Sequence, residues 1–271
     1  MLFTNTMEMV HETVEADDHG KWDQIVPCRT ITMDYGRLTS TQLDRDTGLS
    51  LSGYAQGQVC ARLGMPAPYF RKCPAPLQDV QFNHWNHQRE VGFQLKAADL
   101  DPEETWLLRA KGDTLRGVLS PRYTKLDNRQ LLEALVPVLH GKNYGVNFVK
   151  VGNESFHLRL VDPNVNRAVL RGDELMVGIH LANSEVGLRA VTVDALVFRL
   201  VCSNGLIRRI NSKSLLKPRH IHVSEPRFQE MLESAIGEAV LIAAGFIEQM
   251  AMTLKVPVPD PNLAIECLGS L

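Results

Sequence analysis

The stretch NFVKVGNESFHLRLV at 147–161, with LMVGIHLAN at 175–183, decides the fold class. Phe156, Leu158 and Leu160 alternate with His157 and Arg159. A period of two is that of a β-strand buried on one face. Gly152-Asn153 supplies a turn between NFVKV and SFHLRLV, and LMVGIHLAN adds a third antiparallel strand. Upstream, VGFQLKA (91–97), TWLLRAKG (105–112) and TLRGVLS (114–120) read as three more strands, with a turn at Gly112-Asp113. Between the two sets Asp127 caps a helix through Leu131, Leu132, Leu135, Val136 and Leu139, whose last turn Pro137 weakens.

Further out the pattern is less regular. DALVFRLVCSNG (194–205) fits a strand only if its apolar side changes faces near Asp194, which needs a bulge. It fits a helix if Asp194 is the N-cap and Asn204-Gly205 the stop, and the helix is the preferred expectation. Ser224 caps a long apolar helix from about Glu225 to Leu254, stopped by Pro257. Before the first strands, a short helix from Tyr54 to Met65 ends at Gly64 and Pro66. A second short helix around Tyr69, Phe70 and Leu77 is punctuated by Pro68, Pro74 and Pro76. So many prolines and so few bases favour packing over a DNA-reading helix-turn-helix.

The expected class is therefore α+β, an antiparallel meander-type sheet with helices packed on it and a long C-terminal helix. The expected organisation is an acidic N-terminal arm (1–36), an α+β domain with a basic middle (37–223), and a C-terminal helix and Pro-rich tail (224–271) packed on that domain. No regular βαβ alternation, G-x-G-x-x-G or Walker G-K-[ST] occurs, so ATP or NAD chemistry has no support and no cofactor is expected.

At 271 residues, 44% hydrophobic and 22% charged, the chain can bury a sizeable core, which excludes a disordered or collagenous protein. Five widely spaced cysteines without a C-x-x-C pair suggest reduced thiols. The N-terminal stretch has neither a basic leader nor an apolar core, and the longest apolar run, Ala239 to Ile247, is shorter than a membrane span. A cytoplasmic protein away from membranes is expected.

The net charge of -2 conceals an uneven distribution. Residues 105–220 carry 18 Lys/Arg against 9 Asp/Glu, while 1–36 carry 2 against 7 and 221–271 carry 2 against 7. A basic middle attracts phosphate backbones, unless the acidic ends neutralise it within the fold or across a homo-oligomer. Arg208, Arg209, Lys213, Lys217, Arg219 and His220 form its densest part, with no acid among them. In LRGVLSPRYTKLDNRQL, Arg116, Arg122, Lys125 and Arg129 surround Tyr123, which could stack a nucleobase or simply pack on the following helix. His84-x-x-His87 and His220-x-His222 lack Cys or carboxylate partners at metal-site spacing, so no metal is expected. Glu185, in the polar turn Asn183-Ser184-Glu185-Val186-Gly187, reads more readily as part of a turn fixed by side-chain hydrogen bonds than as an active-site acid. Paired catalytic acids and a nucleophile elbow are both missing.

Four stretches carry a resemblance: RLGMPAPYFRKCP with NHW, LRGVLSPRYTKLDNRQLLEAL, IHLANSEVGLRAVTVDALVFRLVCSNGLI and KPRHIHV. Together, from about residue 55 to 223, the chain resembles a phage/plasmid-like domain family of unknown function found on mobile elements and in bacterial genomes. The resemblance implies a setting in DNA metabolism. It also implies a site drawn from Arg122, Tyr123, Asp127 and Asn128, from Asn183, Ser184, Glu185 and Gly187, and from Cys202, Asn204, Gly205, Arg219 and His220. KPRHIHV departs from the Arg-His-Thr-Gly-like ending of the family at Ile221 and His222. The leading expectation is an oligomeric nucleic-acid-binding protein for single-stranded DNA, with a recombination or annealing role. The alternative is an enzyme acting on a nucleotide or phosphorylated substrate, with Glu185 or His220 as acid/base and Arg122 as anion clamp.

Overall fold

A computed structural model describes residues 6–45, 47–91, 103–170, 173–199, 206–209 and 225–253, with 255, 257, 260 and 262. The chain builds two sheets, each with its own hydrophobic core. The first has six strands: β1 (Lys21–Pro27), β2 (Ile31–Asp34), β3 (Arg37–Ser40), β4 (Leu49–Leu51), β5 (Thr105–Lys111) and β6 (Thr114–Leu119), in the order β1-β5-β6-β4-β3-β2. β4 runs parallel to β6 and every other pair is antiparallel, so this sheet is mixed rather than purely antiparallel as expected. The parallel pair is possible because β4 and β6 are not hairpin partners: between them the chain runs through α2 (Gly53–Arg62), α3 (Ala67–Phe70) and α4 (Ala75–Val91) and then β5. Val59, Cys60, Leu63, Phe70 and Phe82 of this helical excursion pack on Trp106, Leu108 and Val118 of the sheet.

Pro74 and Pro76 do not break the second helical region. They lie just before and within the first turn of α4, where a missing N–H costs nothing, so that helix runs on for 17 residues. Val91, expected to open a strand, is its last residue, and 92–97 fall outside the described residues. Residues 6–36 of the acidic N-terminal stretch contribute elements to both cores. β1 pairs along its whole length with β5, and Val10 and Val14 of α1 (Met7–Asp18) sit in the second core.

The second sheet is an antiparallel meander, β7 (Gly145–Val151), β8 (Phe156–Leu170), β9 (Asp173–Asn183), β10 (Thr192–Arg199) and β11 (Leu206–Arg209) in spatial order β11-β10-β9-β8-β7. α5 (Asn128–Leu139) and α6 (Glu225–Thr253) cover one face through Leu131, Leu135, Leu232, Ile236, Ala239 and Ala243. α6 is the described helix whose length and mean hydropathy of 1.4 would suit a membrane crossing. That apolar character is accounted for in part by the face it seats on Leu158, Ile179 and Ala195.

β10 corrects the helix expected over 194–205. Val193, Ala195 and Val197 face α6, while Leu196 and Phe198 cluster with Val161 and Met176 on the other face, all buried. No bulge interrupts its pairing with β9. Burial on both faces erases the polar-apolar alternation, leaving a continuous apolar run that also suits a helix. Gly178 permits this packing, because a Cβ there would lie 2.3 Å from Phe198 Cε2 and 2.6 Å from the Leu160 carbonyl oxygen. Residues 200–205, including Cys202, Asn204 and Gly205, lie outside the described residues.

Candidate functional site

Two polar assemblies stand out, one buried at the junction of the cores and one on the second sheet. The first is built on the turn after β9. Glu185 is 2% exposed and its carboxylate is held by the Lys21 ammonium at 2.9 Å, the Arg116 guanidinium at 2.6 Å and the Asn128 amide N–H at 3.0 Å. Asn128 opens α5, so the carboxylate sits where unpaired N–H groups and the helix dipole favour an anion. Arg109 donates to the Glu185 carbonyl and also binds Asp23 and Asp127, whose backbone N–H is in turn accepted by Gln130 in a capping arrangement. Asn183 donates to the Leu126 carbonyl and the Asn128 side chain, and Ser184 donates to the Glu154 carbonyl. Tyr123 donates its hydroxyl to the Ser184 carbonyl.

Burial alone raises the Glu185 pKa, but the Asn128 amide, Lys21 and Arg116 outweigh it and hold the carboxyl below its ordinary range. Asp23 behaves the same way, burial being overcome by Arg109 and Lys125. Buried, with both carboxylate oxygens occupied by Lys21, Arg116 and the Asn128 N–H, Glu185 acts as a structural anchor. Gly117 lets the turn approach β6, since a Cβ there would lie 2.7 Å from Val186 Cβ. Arg116, Tyr123, Asp127, Asn128, Asn183, Ser184 and Glu185, separated in the chain by up to 69 positions, thus meet in one closed network. Arg116 is 2% exposed and turned inward, which corrects the expectation that it contacts nucleic acid from the surface.

Part of the basic middle is neutralised from the acidic ends. Lys111 pairs with Asp17, Arg109 and Lys125 with Asp23, and Lys142 with Glu233, while Arg129 pairs locally with Glu133. Arg122 is exposed and makes no ion pair among the described residues. Arg208 and Arg209 occupy the edge strand β11, in register with Val197 and Leu196. Lys213, Lys217, Arg219 and His220 lie outside the described residues. His84 and His87 are exposed on α4, and no group of three His, Cys, Asp or Glu among the described residues could hold a metal ion. His87 also borders a shallow cavity of about 180 Å³ with Arg29, Thr32, Asn83 and Asn86, but Asn86 there is committed to the Cys28 and Ile31 carbonyls.

The second assembly crosses β8, β9 and β10 on the face away from α6. Ser155 Oγ lies 3.2 Å from His157 Nε2, His157 Nδ1 lies 3.0 Å from His180 Nε2, and His180 Nδ1 lies 3.3 Å from Asp194 Oδ2. The two imidazoles are nearly parallel, 4° apart. His180 and Asp194 are direct register partners, and His157 sits one strand over on the diagonal. Burial first, then His180, Arg189, Lys150 and Arg159, push the His157 pKa down to about 4. Arg189 and Lys150 are exposed and make no ion pair among the described residues, and the Arg159 guanidinium lies 4.8 Å over the Phe148 ring. Chain order does not announce this row, because its members belong to a turn and three strands and only register joins them. The signals available in sequence are the polar His157 and Arg159 alternating along β8 and His180 and Asp194 interrupting apolar runs.

Residues 116–264, more than half of the chain, match the family described as Domain of unknown function (DUF932). No curated protein and no solved structure matches the chain. The matched segment begins at Arg116 and takes in α5, the whole second sheet, the turn at Glu185 and α6, so both polar assemblies draw most of their residues from it, and the chain belongs to the DUF932 family.

Proposed function

We propose that this protein binds nucleic acid, single-stranded DNA by preference, at the β7–β8 side of the second sheet, on the face away from α6, where that face is not buried. The supporting observation is the group formed by Lys150, Arg159 and Arg189 around His157, beside the aromatic ring of Phe148. Cations that lack carboxylate partners among the described residues are available to phosphates, and an aromatic ring beside them offers a base a stacking surface. Arg208 and Arg209 at the β11 edge, with Lys213, Lys217, Arg219 and His220 after them, add charge to the same stretch of chain. This reading moves the contact surface away from Arg116 and Lys125, which are occupied by Glu185 and Asp23. A role in recombination or annealing on mobile elements, a cytoplasmic location and self-association belong to the same proposal.

Binding of a labelled single-stranded oligonucleotide, followed by fluorescence anisotropy at several salt concentrations, tests it. Affinity should fall steeply with salt, and Lys150→Glu with Arg159→Glu should weaken it by at least tenfold at low salt. Undetectable binding of the parent protein at low salt refutes the proposal.

A further inference from the structure

The row Ser155, His157, His180 and Asp194 has a direction. A carboxylate accepts and cannot donate, so with Asp194 ionised, His180 carries its proton on Nδ1 and offers the lone pair of Nε2. His157 must then carry its proton on Nδ1 to reach His180, which leaves its Nε2 as an acceptor. The one partner of that nitrogen in the row is the Ser155 hydroxyl, which donates to it. Each group fixes the tautomer of the next, and the chain ends on a half-buried hydroxyl whose proton is already directed at a base.

We propose that Ser155 is a nucleophile toward anionic esters, with His157 as its general base and His180 and Asp194 as positioning residues. This goes beyond the binding reading and does not depend on it. The separation of 3.2 Å between hydroxyl and imidazole is within the reach a nucleophile and its base require. In the step, the Ser155 Oγ–H bond breaks and its proton passes to His157 Nε2, while Oγ forms a bond to the ester carbonyl carbon and the carbonyl π pair moves onto its oxygen, to return as the leaving bond breaks. The bond from that carbon to the leaving alkoxide then breaks, and the alkoxide takes the proton back from His157 as an alcohol. Water, activated by the same nitrogen, releases the acid and restores Ser155. Burial and the surrounding cations disfavour the imidazolium that forms in between, so it returns its proton readily, His180 and Asp194 hold its ring in place, and Lys150, Arg159 and Arg189 meet the negative charge of the substrate. The charged and titratable groups bearing on His157 are Lys150 from β7, Arg159 from β8, His180 from β9, Asp194 from β10 and Arg189 from the β9–β10 connection. A base this weakly basic stays neutral above about pH 5, so its reactivity extends into mild acid, where an ordinary histidine would be protonated.

The test uses the full chain and a fluorophosphonate probe, which loses fluoride as Oγ bonds to phosphorus. Mass spectrometry should place one adduct on Ser155, absent in Ser155→Ala. Labelling should slow at least tenfold in His157→Gln, with circular dichroism confirming that the variant is folded. The labelling rate of the parent should stay level from pH 8 to pH 5 and fall below it, and Asp194→Asn should change that profile, which a merely structural aspartate would leave unmoved. No adduct at Ser155, or equal labelling of folded His157→Gln, overturns the proposal. Ser155→Ala should leave oligonucleotide binding intact, so failure of one reading is distinguishable from failure of the other.

Discussion

Glu185 shows how a residue with the type and setting of a catalytic acid becomes a structural anchor. Its carboxylate joins α5 to β1 and β6, and removing its charge leaves the buried Arg116 without its carboxylate partner, while Lys21 keeps Asp17 and Asp18. Breaking a buried pair from one side typically costs about 3 to 5 kcal/mol. Glu185→Gln should therefore lower unfolding stability by about that amount in urea denaturation, and a loss under about 1 kcal/mol would contradict the anchor role. Proton linkage makes a second statement. The folded-state pKa values of Glu185, Asp17 and Asp23 are lowered, so the unfolded chain binds protons first as pH falls, and their stabilisation is present above the ordinary carboxylate range and lost below it. His157, brought down to about 4 from 6.5, removes stability earlier, between about pH 6.5 and 4, because there only the unfolded histidine is protonated. NMR titration of His157 should give a midpoint near 4, with thermal stability declining across that window. A midpoint near 6.5 would contradict its partly buried position among cations.

The secondary structure of single elements was legible wherever one face alone is buried. The alternation Phe156, Leu158, Leu160 marked β8, and Asp127 marked the start of α5, because solvent on one side leaves a polar imprint on the chain. β10 lost that imprint by being covered on both faces, and Phe198 could lie flat there only because Gly178 lacks a side chain. Gly178→Ala should destabilise by about 1 to 3 kcal/mol, since the Leu160 carbonyl oxygen in its path belongs to the backbone and cannot swing away. Unfolding midpoints of the variant and parent measure this, and unchanged midpoints would mean the packing over β9 is looser than described. The parallel pairing of β4 with β6 was not legible for a different reason. Register between partners 64 residues apart depends on how the intervening helices and β5 pack, and no local pattern encodes that.

At the scale of the whole molecule, two populations stand out among the described residues of the basic middle. One part of the basic middle is spent inside the fold, where Asp17, Asp23 and Glu233 from the acidic ends meet Lys111, Arg109, Lys125 and Lys142. A second part, Lys150 and Arg159 on the sheet and Arg189 from the β9–β10 connection, surrounds His157. The sequence motifs located real clusters, since Arg116, Tyr123, Asp127, Asn128, Asn183, Ser184 and Glu185 converge, but side-chain pairing across the junction turns that cluster inward. The row from Ser155 to Asp194 escaped notice because it exists only through strand register. The binding account rests on the second population, and a comparison of two charge-reversal variants separates the two most directly. In anisotropy titrations with a single-stranded oligonucleotide at low salt, Lys150→Glu with Arg189→Glu should weaken binding at least tenfold, whereas Lys142→Glu with Arg129→Glu, at residues already paired within the fold, should change it less than threefold. Equal losses in both variants, or no binding by the parent protein, would contradict the assignment of this sheet face as the nucleic-acid surface.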